Sequence, residues 1–73
     1  MIMFEIFPSG VAVDTSKITA LYIDDIIANK KTVYIVNASC DGDYHILFEC
    51  KNEDDAKAYL KKLVDELNAE KGN

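Results

Sequence analysis

The sequence predicts an α+β fold, in which a small antiparallel sheet of four to five strands is packed by one C-terminal amphipathic helix. Two runs of β-branched and aromatic residues flank Asp41-Gly42, a dipeptide typical of tight hairpin turns. Shorter alternating apolar segments precede this hairpin, and apolar residues at helical spacing follow it. The 73 residues contain no repeat or linker, so we expect a single domain over residues 1–73.

The first third of the chain reads as short strands joined by tight connections. Residues 2–7 alternate in polarity, 8–10 form a turn, and 11–13 form a second strand. We expect Asp14 to cap a single helical turn over 14–17, and an extended segment over 18–23. The connection 24–31 stays ambiguous, because Ile26 and Ile27 could either continue that strand or form a helical turn.

The hairpin register decides which apolar residues share a face. If Asp41 and Gly42 form the turn, Asn37 faces Ile46, Ile35 faces Phe48 and Val33 faces Cys50. One face then carries Val33, Ile35, Tyr44, Ile46 and Phe48, and the other carries Tyr34, Val36, Ala38, His45 and Leu47. We expect the helix on the face of Ile35, Ile46 and Phe48, because these side chains are large.

The clearest helix follows Asn52, which caps it, with Asp55 completing an imperfect capping box. Acids fill the first turn, where the helix dipole favours negative charge. Ion pairs four residues apart, Lys61 with Asp65 and Lys62 with Glu66, are expected on the outer side. One stripe is apolar and contains Ala56, Tyr59, Leu60, Leu63, Val64 and Leu67.

One helix covers one face of a sheet, so the second apolar face needs another explanation. Two interpretations are open for Tyr34, Val36 and Leu47: packing beneath another element of the same chain, or an interface with a second copy or a partner. We predict an interface formed by these three residues with His45, and expect a dimer or a complex with a host protein.

The charge of the chain limits its partners. Thirteen acids against eight lysines give a net charge of −5, and the chain contains no arginine. This balance argues against direct nucleic-acid binding. The acidity is explained either by solubility or by mimicry of nucleic acid on a basic partner, for which Asp24, Asp25, Asp41 and Asp43 form a candidate acidic patch. No membrane-spanning run or signal is recognisable, so a cytoplasmic location is expected.

Residues that could carry chemistry are few. His45 has Asp43 on its side of the strand, but a lone strand histidine is usually an ordinary surface or interface residue rather than a catalytic one. Acids beside Cys40 should raise its thiol pKa. The hairpin register separates Cys40 from Cys50 by more than about 20 Å, beyond disulfide reach. Two cysteines and one histidine do not make a zinc site without carboxylates, and an Asp41-Gly42-Asp43 turn lacks the ligand spacing of a calcium loop. We therefore predict no enzyme, no catalytic or metal site and no cofactor.

The order of these elements resembles the FlbD-type small proteins, a family named after a flagellar-operon protein and common in phages. The resemblance covers most of the chain and lies in residues 14–18, 32–35, 41–42 and 52–56. The chain departs from the family pattern in having Asp14 for the usual Asn, no Pro-Asp before Thr32, and a longer terminal helix.

The resemblance implies a small non-enzymatic or regulatory protein and is compatible with a phage-encoded one, since the family is common in phages. We therefore expect a protein-protein interaction module that self-associates through a sheet face or edge. The alternative is an acidic, phage-encoded inhibitor of a host nucleic-acid enzyme, of the anti-defence or nucleic-acid-mimic kind.

Overall fold

A computed structural model describes residues 3–71 of the chain, with side chains through Ala69. The strands are β1 (Phe4–Ile6), β2 (Ala12–Asp14), β3 (Ile18–Ala28), β4 (Lys31–Cys40) and β5 (Asp43–Cys50), and the helix is α1 (Glu53–Lys71). The α+β class is confirmed. The single sheet of four to five strands is not: β1 pairs with β2, and β3, β4 and β5 form a separate antiparallel sheet in that order.

A 3-10 turn over Thr15–Lys17 separates the two sheets. As predicted, Asp14 caps this turn: its Oδ1 accepts the Ser16 backbone N–H at 3.0 Å and the Ser16 hydroxyl at 2.6 Å. The Thr15 N–H donates to the Met3 carbonyl at 2.8 Å, which ties the turn to the start of β1. Because the chain is redirected here, β2 pairs with β1 and β3 begins a new sheet.

The ambiguous segment 24–31 continues β3 as a strand as far as Ala28. The chain then reverses through Asn29 and Lys30, whose φ angles are +52° and +63°, and returns as β4. Two successive positive φ values are the signature of the hairpin turn whose twist matches that of the strands. We call residues 26–33 the arm, because β5 ends opposite Tyr34 and this part of the ribbon has no third strand.

The β4–β5 hairpin follows the predicted register only for its first half. Asp41 and Gly42 form the turn, with φ of +49° and +92°, and Asn37 pairs with Ile46 as expected. A bulge at Leu47 then shifts the pairing by one residue, so Phe48 lies opposite Val36 instead of Ile35. One extra residue in a strand transfers every later side chain to the other face.

The helix covers the face opposite to the expected one. Leu63 of α1 packs in one buried cluster with Ala38 and Leu47, while Leu21 and Tyr59 pack around it. The expectation that α1 covers Ile35 and Ile46 is therefore wrong. The same expectation is correct for Phe48, because the bulge moves its ring to the helix side. There the ring stacks on Tyr59, with ring centroids 4.3 Å apart.

The remaining contacts complete a small core on the helix side. Phe7 and Val13 from the β1–β2 unit are buried in the same cluster. The loop between β1 and β2 docks on β5, where Ser9 donates its N–H to the Leu47 carbonyl at 3.0 Å and its hydroxyl to the Ile46 carbonyl at 2.5 Å. These bonds occupy part of the outer edge of β5 beside the bulge.

The predicted Asn52 cap of α1 is confirmed. The Asn52 side chain accepts the Asp54 N–H at 2.8 Å, and the Asn52 carbonyl accepts the Ala56 N–H at 3.2 Å. The expected pairs on the outer side also form, Lys61 with Asp65 at 3.0 Å and Lys62 with Glu66 at 3.9 Å. Ala56 and Leu63 are the fully buried members of the apolar stripe.

Candidate interaction surface

The second face of the three-stranded sheet is the side turned away from α1, and we call it the open face. Its members follow from the observed register, because paired residues share a face and alternate along each strand. They form five cross-strand rows. From the arm tip, the rows are Ala28 and Lys31; Ile26 and Val33; Asp24, Ile35 and Glu49; Tyr22, Asn37 and Ile46; and Ala20, Ser39 and Tyr44.

The open face is rich in exposed apolar side chains. Ile26 and Tyr22 from β3 are exposed, and so are Tyr44 and Ile46 from β5. Ile35 lies between them on the central strand and is buried. The exposed apolar side chains form a strip that the row of Asp24 and Glu49 interrupts, and exposed apolar surface grouped on one face of a small domain is typical of a protein interaction site.

Asn37 lies at the centre of this face and retains only 2 % of its surface. Its Oδ1 atom is buried and makes no hydrogen bond within the described residues. An amide oxygen removed from water without a partner costs free energy, so its burial works against the stability of the isolated fold. The stability of the core therefore gives no reason for a polar residue at position 37.

Charge is placed unevenly along the open face. Asp24 and Glu49 flank Ile35 in one row, and Lys31 lies near the arm tip, four residues from Ile35 along β4. The ion pairs found among residues 3–69 all lie on α1, so these three charged groups belong to none of them. The face thus presents a basic end and an acidic middle.

The predicted interface set of Tyr34, Val36, Leu47 and His45 lies on the helix side. Val36 and Leu47 have no exposed surface, and Tyr34 and His45 are half-buried. The first of the two open interpretations, packing beneath other elements of the same chain, is what the structure shows for Val36 and Leu47. The four residues share one face, as predicted, but the interface set was misplaced because α1 covers that face instead of the face of Ile35 and Ile46.

The predicted acidic patch is divided. Asp24 and Asp25 are neighbours in β3 and therefore point to opposite faces of the sheet. Asp41 and Asp43 lie at the other end of β4, at the tip of its hairpin with β5. The two pairs are about 20 Å apart along the strands, so they do not form one surface.

His45 lines a hollow beside the β4–β5 tip, together with Cys40, Asp41 and Asp43 and with Asp14 from β2. Burial raises the pKa of the Cys40 thiol, and the charges of Asp41, Asp14 and Asp43 raise it further. The expected direction is confirmed, with burial as the larger cause. A thiol held in its neutral form is a poor nucleophile.

The cysteines are free, as predicted. Cys50 pairs with Tyr34 and Cys40 with Asp43, so about six residues of β4 separate them, or about 20 Å. Within residues 3–69, no three histidine, cysteine or acidic side chains are grouped closely enough to hold a metal ion. The described helix is not long and apolar enough to cross a membrane.

Sequence reasoning missed Tyr22 and Ile26 as members of the exposed strip. The alternation of Ala20, Tyr22 and Asp24 is present in the sequence, but the conformation of the chain beyond Ile23 was left open between a continued strand and a helical turn. The same alternation continued through Ile26 would have placed that residue beside Tyr22.

Comparison with protein-family models, with curated proteins and with solved structures gives no significant match to this chain.

Proposed function

We infer that this chain is a small non-enzymatic interaction or regulatory protein that self-associates through the open face of its three-stranded sheet. The observation that carries this proposal is the exposed apolar strip of Tyr22, Ile26, Tyr44 and Ile46, on a face that α1 does not cover. Association with a second copy is the simplest way to bury such a strip, because a two-fold axis brings the same surface to itself.

The small size of the core supports this proposal. A domain of this length buries only about 60 % of the surface that its unfolded chain exposes, so small folds are often stabilised by metals, disulfides or oligomerisation. The cysteines are free and the described residues hold no grouped metal ligands. Burial of the open face in a dimer adds apolar area that α1 does not supply.

The resemblance to FlbD-type proteins agrees with this proposal, since that family implies a small non-enzymatic or regulatory protein. The resemblance concerns only the order of strands and helix, whereas the proposal names the surface through which two copies associate. The proposal transfers the expected interface from Tyr34 and Leu47 to the opposite side of the same sheet.

Two neighbouring isoleucines of the arm provide a matched test. Ile26 lies on the open face and is 45 % exposed, whereas Ile27 lies on the opposite face and is 80 % exposed. Ile26→Glu and Ile27→Glu make the same substitution at neighbouring positions of one strand, and each adds one negative charge. We expect Ile26→Glu to remove self-association and Ile27→Glu to retain it.

Sedimentation velocity, over protein concentrations up to about 1 mM, measures this difference, because 1 mM marks the weak end of specific affinities. Circular dichroism of both variants checks that the fold is retained. A wild-type chain that is monomeric over this range would refute the proposal, as would equal loss of association in both variants.

A second candidate, an acidic inhibitor of a host nucleic-acid enzyme, rests on the net charge of −5 and the absence of arginine. It ranks lower because Asp24 and Asp25 are far from Asp41 and Asp43. Capture of a nucleic-acid enzyme by the monomeric chain, with binding that weakens steeply as salt is added, would favour this candidate.

A further inference from the structure

The arm is the least supported part of the described fold. Beyond the pair of Tyr34 and Cys50 only two strands continue, and they end at the turn of Asn29 and Lys30. A two-stranded ribbon with no covering layer is marginally stable in water. Ile26 and Val33 form its apolar row on the open face, so this row is where a covering layer would have the largest effect.

The charges of the open face identify the occupant. Its acidic row, Asp24 and Glu49 around Ile35, lies one row beyond Ile26 and Val33 on the side of the domain body. Its basic residue, Lys31, lies one row beyond the same pair on the side of the tip. The row of Ile26 and Val33 is therefore midway between opposite charges, about 7 Å from each.

Two copies can pack face to face about a two-fold axis that lies between their sheets and runs perpendicular to the strands. Such an axis places β4 of one copy antiparallel over β4 of the other. If the axis passes through the row of Ile35, Asp24 lies over Asp24 and Glu49 over Glu49, which brings like charges together. If the axis passes through Ile26 and Val33, Lys31 of each copy lies over the acidic row of the other. The charge pattern thus separates two positions of the axis that differ by one row.

We propose that the arms of two copies pack face to face and antiparallel about the row of Ile26 and Val33, with Lys31 of each copy between Asp24 and Glu49 of the other. This inference rests on the proposed self-association and specifies its geometry. The Asn29 and Lys30 turn of each copy then lies against the row of Tyr22, Asn37 and Ile46. Each arm gains the covering layer that its own chain lacks.

Charge reversal tests this register with the full chain. Lys31→Glu places an acid over an acidic row, and we expect it to weaken dimerisation about tenfold or more. The double variant Asp24→Lys with Glu49→Lys should weaken it similarly, because it opposes Lys31. Combining all three substitutions restores opposite charges and should return the dimerisation constant to within about threefold of wild type.

Lys62→Glu on the outer side of α1 serves as the control, since it changes net charge as much as Lys31→Glu does but lies away from the open face. Dimerisation constants come from sedimentation equilibrium, and circular dichroism confirms the fold of each variant. Dimerisation of the wild type should also weaken as salt rises from about 0.05 M to about 0.5 M, as expected for exposed charge pairs.

The outcomes separate this inference from the proposed function. A wild-type dimer that Ile26→Glu disrupts but Lys31→Glu leaves unchanged would overturn the register and retain the open face. Failure of the triple variant to recover dimerisation would also overturn it, because the charges would then not face each other. A monomeric wild type would refute both.

Discussion

Leu47 and Ile46 are neighbours in β5, and their substitution by alanine tests the assignment of the two sheet faces. Leu47 has no exposed surface and belongs to the buried cluster of Phe7, Ala38 and Leu63, whereas Ile46 is 36 % exposed on the open face. Both lose a branched aliphatic side chain from the same strand. Isoleucine has the higher strand propensity of the two, so a larger cost for Leu47→Ala reports burial rather than strand propensity.

The expected magnitudes differ severalfold. Leu47→Ala removes a fully buried side chain and should lower the free energy of unfolding by about 3 kcal/mol. Ile46→Ala removes a side chain that already contacts water and should cost about 1 kcal/mol. A domain of this length is stable by roughly 4–11 kcal/mol, so Leu47→Ala removes a large fraction of the total.

Urea unfolding followed by circular dichroism, at concentrations where the chain is monomeric, measures both changes. If the free energy of unfolding falls by about 1 kcal/mol per molar urea, we expect the unfolding midpoint to fall by about 3 M for Leu47→Ala and by about 1 M for Ile46→Ala. Leu47→Val, expected to cost about 1 kcal/mol, gives a measurable value if the alanine variant does not fold. A cost for Ile46→Ala equal to or above that of Leu47→Ala would refute the face assignment.

Three further predictions concern a cap, a turn and a ring contact. The hydrogen bond from the Ser16 hydroxyl, followed by the Ser16 and Met3 backbone N–H groups, lowers the pKa of Asp14 below its usual 3.8. Asp14 thus stabilises the fold above pH 3.8 and loses this effect as pH falls through its lowered pKa, so the difference in melting temperature between wild type and Asp14→Asn should shrink on acidification. Lys30→Gly should raise the unfolding free energy by about 1 kcal/mol in chemical denaturation, because glycine adopts the positive φ without a side-chain penalty. A double-mutant cycle of Phe48→Leu and Tyr59→Leu should give a coupling of about 1 kcal/mol, and a value near zero would contradict the observed stacking.

Local features of the fold were predictable because each depends on residues close in sequence. The Asp14 cap needs only Ser16, the Asn52 cap needs only Asp54, and Asp41-Gly42 supplies the two positive φ angles of its turn. The helix and its outer ion pairs follow from three- and four-residue spacing. The pairing of Asn37 with Ile46 follows from counting outward from the turn.

The candidate site could not be predicted in the same way, because it depends on which face of the sheet α1 covers. Ser9 and Leu63, which contact Leu47 or share its buried cluster, are distant from it in sequence. Apolar alternation is equally strong on the two faces of this hairpin, so the pattern does not select a face for the helix. The interface was therefore assigned to Val36 and Leu47, which the structure buries.

By itself, the sequence determined the α+β class, the caps, the Asp41-Gly42 turn and the apolar stripe of the helix, since these arise from local hydrogen bonding and periodicity. Only the tertiary structure decided that the strands divide into two sheets, that β3 continues into the arm, and which face of the sheet stays open. Those features depend on which surfaces α1 and the β1–β2 unit reach. Both faces of the hairpin are apolar, so no local pattern selects the face that the helix covers, and the bulge at Leu47 exchanges faces only for the residues that follow it.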